Sequence, residues 1–210
     1  MNRTLGVLIS GRGSNLQAII DAIAAGALDA RIGVVISSRP EAAGLERAKR
    51  AGIETLCLDH RAYPTREDYD RALVEALGAR GVGLVCLAGF MRLLSPVFVE
   101  AFPNAILNVH PALLPAFPGL DAQRQAWAHG VKVSGATVHL VDRDLDAGPI
   151  VLQRAVPVLD EDTADSLAAR ILEQEHRLYP EAIGIVLAGG WRIEGRRFLS
   201  RTKDEVESAE

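Results

Sequence analysis

The chain has 210 residues and a net charge of -4, which disfavours broad attraction to nucleic acid or an anionic membrane surface and makes small molecules the expected partners. Hydrophobic residues make up 49% of it and charged residues 24%, a composition that excludes extensive disorder and suits one ordinary packed domain. No apolar run approaches the roughly 20 residues that span a bilayer, and the start from Met1 to Ser10 is too short and polar for a signal peptide, so a cytoplasmic protein is expected.

Leu5 to Ile9 is a continuous apolar run that reads as a strand, and after Ser10-Gly11-Arg12-Gly13 the residues Leu16, Ile19, Ile20 and Ile23 recur at helical spacing. Ile32 to Ile36 repeats the strand pattern, Ala42 to Ala51 reads as a helix, and Thr55 to Leu58 is a further extended segment. Thr65 and Asp68 resemble a capping box ahead of the stripe Tyr69, Ala72, Leu73, Ala76, Leu77. Leu84 to Ala88 follows as a buried strand, then a short helix near Ser95 to Ala101 and a fifth strand from Ala105 to Val109 that ends at His110-Pro111. In the second half, Ser134 to Val141 and Ile150 to Val158 read as strands and Thr163 to Tyr179 as a long amphipathic helix. Trp191 to Ile193 and Arg197 to Leu199 pair as small strands, and charged residues from Lys203 onward fray. Alternation of this kind predicts an α/β fold with a mostly parallel twisted sheet, helices on both faces and a Rossmann-like N-terminal half. Cys57 and Cys86 form no C-x-x-C pair or metal-ligand spacing and are expected to be two buried thiols. The five histidines are scattered, so no metal site is expected.

Ligands of parallel sheets bind beyond the carboxyl ends of the strands, which puts the turn from Ile9 to Leu16 at the expected site. Gly11 and Gly13 let the backbone bend and approach a ligand, and Ser14 and Asn15 add side-chain donors beside the free amides of a helix start, so a phosphate fits. The dinucleotide fingerprint lacks its third glycine, and Ser37-Ser38-Arg39 stands where an acidic ribose partner belongs. NAD is therefore disfavoured, although Arg39 keeps an NADP phosphate open. A tight turn with an N-cap serine is the structural alternative.

Asn108 and His110 are two residues apart at a strand end, so both side chains point to one face and enter one pocket. Pro111, Pro115 and Pro118 stiffen the chain just after them. Asp142, Asp144 and Asp146 lie before the turn Gly148-Pro149, and composition does not choose among them.

Ser10-Gly11-Arg12-Gly13-Ser14-Asn15, Leu87-Ala88-Gly89-Phe90-Met91-Arg92, Asn108-Val109-His110-Pro111 and Leu145-Asp146-Ala147-Gly148-Pro149 occur in this order over nearly the whole chain. Together they resemble the folate-dependent formyltransferases, and within them the phosphoribosylglycinamide formyltransferases of purine synthesis. The resemblance implies one formyltransferase domain over residues 1–202, phosphate-binding in 1–100 and catalytic and folate-binding in 101–202, with a charged tail at 203–210. It implies 10-formyltetrahydrofolate as cosubstrate, glycinamide ribonucleotide as acceptor, no metal, and either a monomer or a homodimer. It assigns catalysis to Asn108, His110 and Asp146; the oxyanion formed in such a transfer is expected to be met by the Asn108 amide and a protonated His110 that Asp146 keeps charged. It assigns ribonucleotide binding to Gly13, Ser14, Asn15 and Glu175, and folate binding to Arg66, Met91, Arg92, Leu93, Leu94, Asn108, Asp142 and Asp146. Ala112, Ala116 and Asp121 depart from the residues such relatives often carry there, which bears on contacts along that loop. Rival readings are another formyltransferase or a formyl-folate hydrolase, a noncatalytic folate or nucleotide-binding module, and an NADP-dependent reductase, for which the chain lacks a Tyr-x-x-x-Lys proton donor.

Overall fold

The computed structural model describes residues 2–200, so the expected charged tail at 203–210 lies outside the described residues. Along the chain run β1 (Thr4–Ile9), α1 (Ser14–Ala24), β2 (Arg31–Ser37), α2 (Gly44–Arg50), β3 (Thr55–Cys57), a 3-10 turn (His60–Ala62), α3 (Arg66–Gly78), β4 (Leu84–Leu87) and α4 (Pro96–Ala101). There follow β5 (Ile106–His110), α5 (Ala122–His129), β6 (Val133–Leu140), β7 (Ile150–Pro157), α6 (Ala164–Ala188), β8 (Arg192–Glu194) and β9 (Arg197–Leu199). One sheet holds all the strands in the order β3-β2-β1-β4-β5-β6-β7-β9-β8. The run from β3 to β5 is parallel, β6 and β7 are antiparallel additions, and β9 returns parallel to β7. The expected mostly parallel α/β architecture is thus the one observed.

Strand alternation decides which face each side chain serves. Leu5, Val7 and Ile9 pack with Leu16 and Ile19 of α1 and with Leu178, Ile183 and Val186 of α6 on one face. Leu8, Val85, Leu87 and Ile106 meet Tyr69, Leu73 and Leu77 of α3 and Phe98 of α4 on the other. In β5, Leu107 and Val109 belong to the α6 face, so Asn108 and His110 are turned to the opposite one. There the helices stop short and loops take over, which leaves room for a cavity at the carboxyl edge.

Three expectations need correction. The last long helix does not stop at Tyr179 but continues through Pro180 to Ala188. Pro180 cannot donate to the carbonyl of His176, a defect of about 3 kcal/mol. Burial of Ile183, Val186 and Leu187, at about 1.5–3 kcal/mol each, outweighs it. Helix α5 was not foreseen, because its buried residues are Ala122 and Ala126 and it carries no bulky apolar stripe. Cys57 is exposed at the end of β3, whereas Cys86 is buried as expected.

Tyr179 ties α6 to the sheet directly under the carboxyl edge, its hydroxyl lying 3.0 Å from the Leu87 carbonyl and 2.9 Å from that of Leu107. Replacing Tyr179 with Phe removes the donor from two buried acceptors. A loss of about 1–1.5 kcal/mol is expected, read as a lower urea midpoint at unchanged slope. Among the described residues no helix is long and apolar enough to cross a membrane.

Candidate active site

The glycine turn works through Gly13 rather than Gly11. Gly13 has φ 70°, and a Cβ on it would sit 2.6 Å from Gly44 Cα, whereas a Cβ on Gly11 would meet open space. Gly13 is the N-cap of α1 and Ser14 its first residue, so the alternative of a turn capped by serine is not the device used. The helical ladder starts where Gln17 N donates to Gly13 O at 3.0 Å, which leaves the amides of Ser14, Asn15 and Leu16 outside it. Asn15 is buried and donates from Nδ2 to Glu175 Oε2 at 2.6 Å, while its Oδ1 has no hydrogen-bond partner. Glu175 comes from α6 and is 5% exposed. Burial pushes its carboxyl above the usual range, opposed by the Asn15 bond and the Arg12 charge. The four residues expected to hold a ribonucleotide, Gly13, Ser14, Asn15 and Glu175, thus share one end of α1. A Gly13→Ala variant adds that clash with the Gly44 backbone to a left-handed strain of about 1–3 kcal/mol, so a larger stability loss than the strain alone is expected. A urea titration would measure it.

A cavity of about 640 Å³ opens beside this turn at the ends of β4 and β5. Gly89 to Leu94 form one wall, residues 141–146 another, and Gly119 to Asp121 part of its cover. Met91, Arg92, Leu93, Leu94, Asn108, His110, Asp142 and Asp146 all line it, as expected of a common site. Arg66 does not. It opens α3, is half-exposed, and lies 3.7 Å from Glu67.

The polar end of the cavity is a cluster of four side chains. The carboxylate of Asp146 is 8% exposed and faces two imidazoles, with Oδ2 3.4 Å from His110 Nδ1 and Oδ1 3.6 Å from His139 Nε2. It also accepts from Gly119 N at 2.8 Å. Asp142 instead takes Asp144 N at 3.0 Å in a local turn, so geometry separates the three carboxylates that composition left equal. Asn108 Nδ2 lies 3.2 Å from His139 Nε2. His139 was missed. It stands opposite Asn108 in the antiparallel β5–β6 register, and that pairing cannot be read from β6 alone, although the polar alternation Thr137, His139 signals a non-core face.

Only nitrogen can donate to a carbonyl, so His110 Nε2 carries a proton in its 2.8 Å bond to Phe117 O. Burial drives the imidazolium of His110 below the ordinary histidine value, and the Phe117 carbonyl and Asp146 carboxylate raise it by less. Burial thus favours the neutral ring of His110 in the absence of substrate. For Asp146 burial acts upward, but the neighbouring His139 and His110 rings and the bond from Gly119 N together more than offset it, and the carboxyl is held below its usual value. Phe117 has φ 53°, Asp121 φ 55° and Asp146 φ 50°, all non-glycine residues in the left-handed region, and the Leu114–Pro115 bond is cis. The left-handed backbone of those three non-glycine residues costs about 1–3 kcal/mol each, and strain of that kind gathers at functional sites.

Among the described residues, no serine, threonine, cysteine or lysine lines the cavity, and no group of three or more His, Cys, Asp or Glu is placed to hold a metal. An amide donor, an imidazole and a carboxylate facing a pocket without a hydroxyl, thiol or lysine nucleophile suit a group-transfer enzyme in which the attacking atom arrives with a substrate. Comparison with known proteins agrees: residues 3–183 match the formyl transferase family, and the chain belongs to it. It is 46% identical over 190 residues to the phosphoribosylglycinamide formyltransferase of Escherichia coli (strain K12), covering 90% of this chain and 87% of that protein. It is likewise 46% identical to the trifunctional purine biosynthetic protein adenosine-3 of Homo sapiens, of which it spans 20% of the length while 95% of this chain is covered. The crystal structure of glycinamide ribonucleotide transformylase 1 from Symbiobacterium toebii superposes with a TM-score of 0.94 at 57% identity, over 96% of this chain and 95% of that one.

Proposed function

We propose that this chain transfers the formyl group of 10-formyltetrahydrofolate to the amino group of N1-(5-phospho-D-ribosyl)glycinamide, a one-carbon step of purine synthesis. The observation that carries the reading is the meeting of Asn108, His110 and Asp146 inside an apolar-walled cavity next to the Gly13 turn. The relatives named for this activity support it.

On this reading the phosphate of the ribonucleotide takes the free amides after Gly13, and Glu175 meets the ribose hydroxyls beside Asn15. The flat folate ring lies between Met91 to Leu94 and the 141–146 loop. Attack of the substrate amine on the formyl carbon places negative charge on its oxygen. Asn108 donates to that oxygen, and so does His110 Nε2–H, the donor that now meets the Phe117 carbonyl. The loop carrying Phe117 must give way for that exchange. As charge grows, a proton on Nδ1 of His110 becomes favourable, because the imidazolium then lies between the oxyanion and ionised Asp146. Asp146 thus acts when charge develops rather than by holding His110 charged at rest, and the proton leaving the amine reaches the departing folate nitrogen through this pair or its water.

The test mixes purified protein with both substrates and follows formylated ribonucleotide and released tetrahydrofolate together. Equal appearance of the two is expected. Tetrahydrofolate without formylated amine would identify a hydrolase, and neither product would end the proposal.

A further inference from the structure

Ser10 stands between the two halves of the site. It is the last residue before the glycine turn, and it is buried. Its amide donates to Gly89 O at 3.1 Å, and its Oγ accepts from Met91 N at 2.9 Å. The Met91 bond occupies one lone pair of Ser10 Oγ, and the same hydroxyl shares a hydrogen bond with Ser38 Oγ, 2.7 Å away, in which either hydroxyl can donate. Ser38 is itself anchored by its amide to Ile9 O at 3.1 Å. The bonds thus run in a chain from the Met91 amide through the Ser10 hydroxyl to the Ser38 hydroxyl.

Both residues that Ser10 grips line the cavity. The wall they begin is held at its far end by Ser95 N, which donates to the buried Asp70 carboxylate. Between those two pins the side chains of Met91 and Leu93 are each 58% exposed, while Phe90 and Leu94 pack against the core. Whatever settles the turn after Ser10 therefore also settles the near end of this wall, and the reverse holds by linkage. Ordering that one ligand has already brought about need not be supplied again by the second.

We infer that Ser10 is a positioning residue that couples the phosphate-binding turn to the folate-facing wall, so that each substrate strengthens binding of the other. This rests on the two-substrate reading above.

Calorimetry on the full-length protein measures the affinity of glycinamide ribonucleotide alone and with saturating tetrahydrofolate, a pair that cannot react. Wild type is expected to bind the ribonucleotide on the order of tenfold more tightly when folate is present. In Ser10→Ala that ratio is expected to fall below about twofold, with each single-ligand affinity changed less than about threefold. Ser38→Ala, which leaves the Met91 bond in place, is expected to keep most of the ratio. If the alanine variant does not fold, Ser10→Cys, whose sulfur is a poor acceptor, takes its place with the same expectation. A ratio near one in wild type, or an unchanged ratio in the Ser10 variant, overturns the coupling while leaving the activity intact. A wild type that binds neither ligand and transfers no formyl group overturns both readings.

Discussion

Replacing Asp146 with asparagine is expected to lower kcat by two to three orders of magnitude, to change either KM by less than about threefold, and to leave the fold in place. Asparagine is nearly isosteric and can still accept from Gly119 N, which holds the loop. What it cannot do is balance an imidazolium. In a buried site a charge without its partner costs several kcal/mol, and about 3–4 kcal/mol of transition-state stabilisation corresponds to the stated loss of rate. Ring-nitrogen NMR provides an independent reading: His110 should titrate below the ordinary histidine value in wild type and lower still in the variant, since the carboxylate is one of the influences raising it. A fully active variant, or an upward shift of His110, would remove Asp146 from the mechanism.

The same groups set the acid side of the stability curve. Asp146 has a depressed folded value, so its contribution is complete above the unfolded aspartate value and disappears as pH falls through the lower folded one. His110 is also lowered on folding. Between its folded value and the unfolded one near about 6.5, the unfolded chain binds more protons, and stability falls as the solution is acidified. Both act in one direction, and asparagine at 146 should flatten the part due to the carboxyl.

Legibility in the sequence followed the range of the interactions. The strand–turn–helix unit around Gly13 is local: apolar run, glycine, then Leu16 and Ile19 at helical spacing, and it formed as read. Asn108 and His110 share a face because strand period depends on nothing but the strand. The carboxylate was not legible from its neighbourhood, since Asp142, Asp144 and Asp146 differ only in which loop turn brings them inward, and the resemblance to relatives had to select among them. His139 became a site residue only through the β5–β6 register, a contact over 31 positions. Charge state was the other gap. A carboxylate beside an imidazole suggests a raised value, yet the burial that reverses this for His110 is set by the folded surroundings of the β5 end and not by its neighbours in sequence. Arg66 was carried over by resemblance alone and stays outside the cavity, consistent with its place at the exposed start of α3.

Substituting Asn108 with leucine should cost about 10²–10³ in kcat, the loss of about 2.7–4 kcal/mol that follows removal of one oxyanion donor, together with about 1–3 kcal/mol of stability because buried His139 Nε2 loses its donor. The sharper measurement pairs it with His139→Asn. His139 Nδ1 lies 2.9 Å from its own neighbour's carbonyl at Leu140, which requires the proton there and leaves Nε2 as an acceptor for the Asn108 amide. One amide hydrogen is then held by His139, and the other is turned toward the cavity. If this is how His139 contributes, its replacement lowers kcat about tenfold in wild type but less than about twofold once Asn108 is leucine, because residues acting through one contact are not additive. Equal losses in the two backgrounds would mean that His139 acts on Asp146 or on substrate directly, and that the aim of the Asn108 amide is set by something else.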